Sequence, residues 1–148
     1  MLVLKRSRLI VLGAAFLLAA CDTPLGVDSS RLVGTEWSLT RFQAADGAVV
    51  EVPQPGTITL RFLAEGQVGG RAICSAFRGV YRIGRYRIKL EQLVPESLPS
   101  CVVDAELENA YLMALDAAHS YEQAVEGRLL LRFGHGGMLT YQRIFVAL

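Results

Sequence analysis

From Thr35 to Phe145 the sequence is cut into short runs in which apolar side chains recur at every second position, with Gly, Pro and Asp between the runs. A two-residue period sends alternate side chains to opposite faces of an extended strand, so each run can bury one face only. The run Thr35–Phe42 places Trp37 and Leu39 together, and Thr57–Leu63 places Ile58, Leu60 and Phe62 together. Further strand candidates are 67–74, 77–83, 86–90, 121–125, 128–133 and 138–145. The stretch 44–56 contains Asp46-Gly47, Pro53, Pro55 and Gly56 and reads as a loop with an edge pairing near Val49–Val52. Gly69-Gly70 inside a strand marks a bulge or a close backbone approach. Gly84-Arg85 reads as a two-residue hairpin turn, and Pro95 with Pro99 makes 93–101 irregular.

One segment breaks the period. Between Asp104 and Ala118, the residues Leu107, Tyr111, Ala114, Leu115 and Ala118 recur three or four apart, the spacing of one face of a helix. Asp104 is placed to cap its first turn, and Glu106 and Glu108 suit the positive end of its dipole. The two glutamates are two apart and do not face each other, so they read as charges on a solvated face. The sum is a mainly β, α+β chain: a small antiparallel β-barrel-like domain of about seven or eight strands, with one helix inserted before the last strands. A sheet of that size must curl or close to hide its apolar face.

The N-terminus has a different grammar. Lys5, Arg6 and Arg8 precede Leu9–Ala20, an uncharged apolar run of 12 residues, and Ala19-Ala20 stand before Cys21. Cations, a short apolar stretch and small residues form a secretory signal, and the run falls short of the roughly 20 residues a spanning helix needs. Leu18-Ala19-Ala20-Cys21 is similar to the lipobox of bacterial lipoproteins, where the cysteine sulfur takes a diacylglyceryl group and cleavage frees its amine for a further acyl chain. The organisation expected is a signal peptide over 1–20, a lipidated flexible tether over 21–31, rich in Pro, Gly, Ser and Asp, and one domain over 32–148.

Losing Lys5, Arg6 and Arg8 from 15 basic residues leaves 12 against 14 acidic ones, a net charge of −2. That balance gives no ground for nucleic-acid binding. Cys74 and Cys101 remain once Cys21 is set aside, an even pair for an oxidising compartment. A disulfide between them would add about 3–4 kcal/mol in the chain-entropy model; two free buried thiols are the alternative. The histidines His119 and His135 and these cysteines lack the close ligand pairs of a zinc site, so no metal or cofactor is expected. No G-x-S-x-G elbow or phosphate-binding G-x-x-x-x-G-K-[ST] loop occurs, and no catalytic residue is assigned.

One charge feature is unusual. Arg71, Arg78, Arg82, Arg85, Arg87 and Lys89 fall within 19 residues, with no acid between Glu65 and Glu91. On alternating strands they could line one outward sheet surface that contacts anionic lipid headgroups or an acidic partner. A merely solvated face whose charges discourage edge pairing is the competing reading.

The segment Val68-Gly69-Gly70-Arg71-Ala72-Ile73-Cys74-Ser75-Ala76-Phe77-Arg78-Gly79-Val80-Tyr81 resembles the G-x-x-G-C-N-x-F-x-G-x-Y segment of META domain proteins, the family of the heat-shock lipoprotein HslJ. Leu32-Val33-Gly34-Thr35-Glu36-Trp37 is similar to the family's opening L-x-G-T-x-W, and Ser97-Leu98-Pro99-Ser100-Cys101 stands where a T-x-M-A-C-like segment is found. The chain departs from the pattern at Ser75, where the family favours Asn, and at Ile73 and Leu98. The resemblance implies a compact β-barrel-like domain with a helix, no enzymatic activity, and a role in stress response or envelope integrity. It also strengthens the expected Cys74–Cys101 link.

The function expected is therefore a non-enzymatic lipoprotein, held at a membrane by its N-terminal lipid with its domain facing the periplasm. Its expected partner is an envelope protein or a hydrophobic ligand, taken in an apolar groove where helix meets barrel. Alternatives are an inhibitor of a periplasmic hydrolase and a lipid-binding lipoprotein like the pilots of secretion systems. Asp22 resembles an inner-membrane retention signal of enteric bacteria, which leaves inner and outer membrane both open.

Overall fold

The computed structural model describes residues 31–97, 105–124 and 126–145. Its elements run β1 (Glu36–Gln43), β2 (Val49–Glu51), β3 (Thr59–Phe62), β4 (Gln67–Arg71), β5 (Ser75–Ile83), β6 (Ile88–Ser97), helix α1 (Ala105–Asp116), β7 (Ala118–Ala124), β8 (Arg128–Phe133) and β9 (Gly137–Ile144). The expected leader, Cys21, nearly all of the tether, Cys101 and the capping Asp104 lie outside the described residues.

The nine strands form one sheet in the order β6-β5-β4-β3-β1-β9-β8-β7, with β2 paired to β1 off that path. All named strand pairs are antiparallel. The sheet curls until its two ends approach. Arg87 of the β5–β6 turn bridges Ser120 of β7, and the Tyr121 N–H donates to the Tyr86 carbonyl over 3.1 Å. The Tyr121 hydroxyl donates to the Gly84 carbonyl over 3.2 Å. The result is a half-barrel whose seam is stitched near one turn.

Twist alone does not bend a sheet this far; register shifts supply the rest. They occur between Leu39 and Arg41, between Arg78 and Val80, and between Ala118 and Ser120. At the second, Gly79 is pressed against β6, where a Cβ would lie 2.7 Å from the Glu91 carbonyl oxygen. Opposite it Gln92 takes a positive φ of 56°, the extra residue of the bulge on that strand.

The inward positions of the strands are those the two-residue period picks out. Trp37, Leu39, Ile58, Leu60 and Phe62 are at most 1% exposed. Helix α1 packs across the open side with Tyr111, Ala114 and Leu115 buried. The rings of Phe77 and Tyr111 meet edge to face at 6.2 Å, and the Tyr111 and Tyr141 hydroxyls share a buried hydrogen bond of 3.1 Å. Each such large apolar burial contributes roughly 1.5–3 kcal/mol. Among the described residues the helix face turned to the sheet is closely packed, with these three side chains at most 2% exposed.

Four local expectations change. The strand count is nine rather than seven or eight. Residues 93–97 are not irregular but continue β6, with Pro95 opposite Phe77. β6 ends the hydrogen-bonded path, and an edge strand tolerates proline because the missing N–H can face away from the ladder. The hairpin tip lies one residue later than expected: the Gly84 N–H donates to the Arg87 carbonyl over 2.8 Å, leaving Arg85-Tyr86 at the turn. Gly69-Gly70 is a close approach without a bulge, since β4 keeps register with both neighbours.

Candidate functional site

On the outer sheet face, strand register brings together residues far apart in sequence. Glu36 lies opposite Arg61, Arg61 opposite Gly69, and Gly69 opposite Arg78. Adjacent strands are about 4.8 Å apart, so the backbones carrying Arg61 and Arg78 stand roughly 10 Å apart across a position with no side chain. Arg71, two residues on from Gly69 along β4, points to the same face. Three exposed arginines thus ring a glycine floor.

The two glycines have different tasks. Gly70 faces inward, where a Cβ would lie 2.1 Å from the Thr59 carbonyl oxygen and 2.8 Å from the Phe77 ring. It lets β4 pass over the core. Gly69 faces outward, and leaves open the space any larger side chain would take. The notch this produces has a volume of about 550 Å³, with Glu36, Arg61, Leu63, Arg71 and Arg78 among its walls. A second hollow of about 360 Å³ shares Glu36, Arg61 and Ile144 with it and reaches Gly34, Arg143 and Phe145. The two adjoin through these shared residues and form one trough that reaches Gly34.

Electrostatically the notch is under-compensated. Among the described residues Arg61 and Arg71 form no ion pair, and Arg78 meets Glu96 at 2.6 Å with both side chains more than half exposed. At the far end of the trough the Arg143 guanidinium lies 5.8 Å from the Trp37 ring centre and 5.9 Å from that of Phe145.

The structure divides the six cations singled out in the sequence. Arg71 and Arg78 join the notch. Arg82, Arg85, Arg87 and Lys89 lie at the other end of the β5–β6 hairpin, beside the seam. There Arg82 meets Glu91 at 3.4 Å, the Lys89 ammonium donates to the Asp116 carbonyl over 3.1 Å, and Arg85 lies 5.4 Å from the Tyr86 ring centre. Arg82, Arg87, Lys89 and His119 border a separate hollow of about 450 Å³. Arg61 is not among the sequence candidates, because its link to Arg78 exists only through strand register; the alternation of Thr59, Arg61 and Leu63 is the one signal along the chain.

Glu108 also departs from its expected role. It is not a solvated charge: its half-buried carboxylate accepts hydrogen bonds from the Cys74 N–H and the Ser75 hydroxyl. Ser75 is only 4% exposed, so the departure from Asn at this position is a buried hydrogen-bonding choice. The bonds pin the first turn of α1 to the turn between β4 and β5. Ser75 in turn faces Ser97, the last residue of β6.

Burial pushes the Tyr111 phenol far above its ordinary range, with the Tyr141 hydrogen bond pulling slightly back. Burial, then the charge and hydrogen bond of Tyr111, push Tyr141 up as well. Both stay neutral at any physiological pH. Among the described residues no three His, Cys, Asp or Glu side chains converge as a metal site would need. His135 is exposed in the β8–β9 turn, and His119 Nε2 lies 3.2 Å from the Gly134 carbonyl oxygen.

A single curled antiparallel sheet, with one helix across its open side and an arginine-walled notch outside, defines a small β-rich half-barrel domain. The META domain family model matches residues 30–144, and the chain belongs to that family. The fold is similar to that of a protein from Burkholderia xenovorans solved by NMR, at 23% identity and a TM-score of 0.63, covering 80% of this chain and 87% of that one. It is also similar to a DUF4847 family protein from Bacteroides vulgatus, at 12% identity and a TM-score of 0.59, covering 77% of this chain and 95% of that one. No match is found among the curated proteins.

Proposed function

We propose that this META domain is the globular part of a bacterial envelope lipoprotein, acting without catalysis as a binding surface beside a bilayer. The observation that carries this reading is the trough of exposed arginines beginning at Gly34, close to where the chain leaves for the tether. From Cys21 to Arg31 is 10 residues, which span at most about 35 Å when extended. An acylated Cys21 would keep the trough that close to a leaflet. Exposed Val33, Leu63 and Phe145 stand by the same end of the domain and suit contact with the headgroup region.

The domain itself supports a surface role. Its interior is filled by Trp37, Phe62, Phe77, Tyr111 and Tyr141, each at most 1% exposed, so binding falls to the outside. A Cys74–Cys101 disulfide completes the proposal. Ser75 and Ser97 are cross-strand neighbours, and Cys101 follows Ser97 by four residues, a span short enough to return to Cys74.

Mass spectrometry of the protein isolated from its native envelope tests the placement. The expected N-terminal residue is Cys21 carrying diacylglyceryl and an amide-linked acyl chain. An intact Met1, or an unmodified thiol at position 21, contradicts it.

A further inference from the structure

We propose that the notch over Gly69 is a binding site for a phosphate group, clamped by Arg61, Arg71 and Arg78. The guanidinium is the side chain suited to phosphate, because its planar N–H fork donates two parallel hydrogen bonds to two oxygens. Here three such forks project from three adjacent strands around one position that has no side chain. Their spacing follows from the sheet: neighbours one strand to each side of Gly69, and a third two residues along its own strand. A phosphate group with its hydration shell lost fits easily within the 550 Å³ available.

Charge and competition agree. Arg61 and Arg71 have no carboxylate partner among the described residues. The Arg78–Glu96 pair has side chains 77% and 61% exposed, and a pair that open is worth little and yields easily to a better anion. Glu36, on the far side of Arg61, is the carboxylate on the notch wall and leaves the site net positive. It also disfavours a bulky polyanion on that flank, which favours a single phosphate over a nucleic-acid backbone.

The seam hollow serves as the internal control. It has Arg82, Arg87, Lys89 and His119 on its rim, with Lys89 engaged by the Asp116 carbonyl and Arg82 in an open pair with Glu91 of the same kind as Arg78 with Glu96. Total positive charge is similar; free donors are fewer. The phosphate has two natural sources: the headgroup of an anionic phospholipid, or a free phosphate or small phosphomonoester. The proposal rests on the lipoprotein reading only for the first source.

The test uses the full chain, ¹⁵N-labelled, in nonionic detergent. It is titrated with inorganic phosphate and, separately, with phosphatidylglycerol added to the micelles. The expected result is saturating shifts of the Gly69, Gly70 and Arg71 amides, with a Kd of about 1 mM or tighter for at least one probe. Arg61→Gln with Arg71→Gln should weaken it about tenfold or more, and Arg82→Gln with Arg87→Gln by less than about twofold. Arg78→Gln alone should give a partial loss and serves if the first variant misfolds. Binding of phosphate identifies a free anion as sufficient, and binding of phosphatidylglycerol alone identifies the headgroup; both support the site. No saturating shift from either probe, or equal losses in the two double variants, overturns it. The mass of the N-terminus decides acylation separately, so failure of one idea does not conceal failure of the other.

Discussion

At the Gly69 notch, Arg61 and Arg71 project from adjacent strands with no ion-pair partner among the described residues; at the seam, Arg82, Arg85 and Lys89 each have a carboxylate, a ring or a carbonyl close by. In the sequence Arg71 to Lys89 is one continuous basic run. Folding turns it into two regions with opposite character, because β5 crosses the sheet from one region to the other. The difference teaches that charge density along a chain does not measure charge available at a surface. What decides is which side chains the register places across from each other, and whether an acceptor lies within reach.

Helix α1 ties the two regions together. Its first turn is held at the notch side through Glu108, and its last residue, Asp116, receives Lys89 at the seam. Substitutions can therefore be ranked by how deeply they reach into either region.

The largest effect should come from the notch floor. In Gly70→Val the new Cβ would overlap the Thr59 carbonyl oxygen, and a clash with backbone on that scale should cost about 4 kcal/mol or more, or prevent folding. Gly69→Ala meets the Phe77 carbonyl oxygen at 3.3 Å and should cost less than about 1.5 kcal/mol. Urea denaturation of the two variants distinguishes them; near-equal midpoints would break the assignment of Gly70 inward and Gly69 outward.

Next comes the pin. Glu108→Ala leaves the Ser75 hydroxyl and Cys74 N–H without their acceptor and should cost about 2–3 kcal/mol. Glu106→Ala, which removes an exposed carboxylate two residues before Glu108, should change stability by less than about 0.5 kcal/mol. Thermal unfolding of the pair checks it, and equal small changes would return Glu108 to the solvated face.

The Tyr111–Tyr141 pair beneath both regions gives a pH signature. Both phenols are raised in the folded state relative to the unfolded chain. Their neutral forms are present in both states below pH 10, so they add no pH dependence there. Above it the unfolded state loses protons that the folded state keeps, and stability falls as pH rises, by up to about 1.4 kcal/mol per pH unit for each tyrosine. Chemical denaturation between pH 9 and 11 should show this decline, and Tyr111→Phe with Tyr141→Phe should flatten it. A decline unaffected by the double variant would place its origin elsewhere.

The smallest effects belong to the exposed cations themselves. Arg71→Gln and Arg82→Gln should each change stability by less than about 0.5 kcal/mol. A larger loss for Arg71→Gln in a melting experiment would make the notch a structural feature and erase the contrast with the seam.

Much of the fold was legible because burial on one face writes a two-residue period into strands and a three-to-four period into α1. Trp37, Leu39, Ile58, Leu60 and Phe62 are found inward on that ground alone. Pro95 misled because proline excludes a strand only where its N–H is needed, and edge position is a property of the whole sheet. Glu108 misled because a carboxylate in a first helical turn suits the dipole equally well exposed or half-buried; its partners are Ser75 at the start of β5 and Cys74 just before it, more than 30 residues away. The site was half legible. Arg71 and Arg78 belong to the visible basic run, but Arg61 reaches them only through the pairings of β3 with β4 and β4 with β5. No spacing rule along the chain encodes that.

The central claim is that equal charges at the two regions are not equivalent. Its most direct measurement compares Arg61→Gln/Arg71→Gln with Arg82→Gln/Arg87→Gln, two variants of identical net charge, for affinity toward phosphatidylglycerol-containing micelles across a salt series. At each salt concentration the first pair should lose most of the affinity of the unsubstituted protein, and the second should match it. Matching losses that vanish together as salt rises would mean that only diffuse charge matters, and would contradict it.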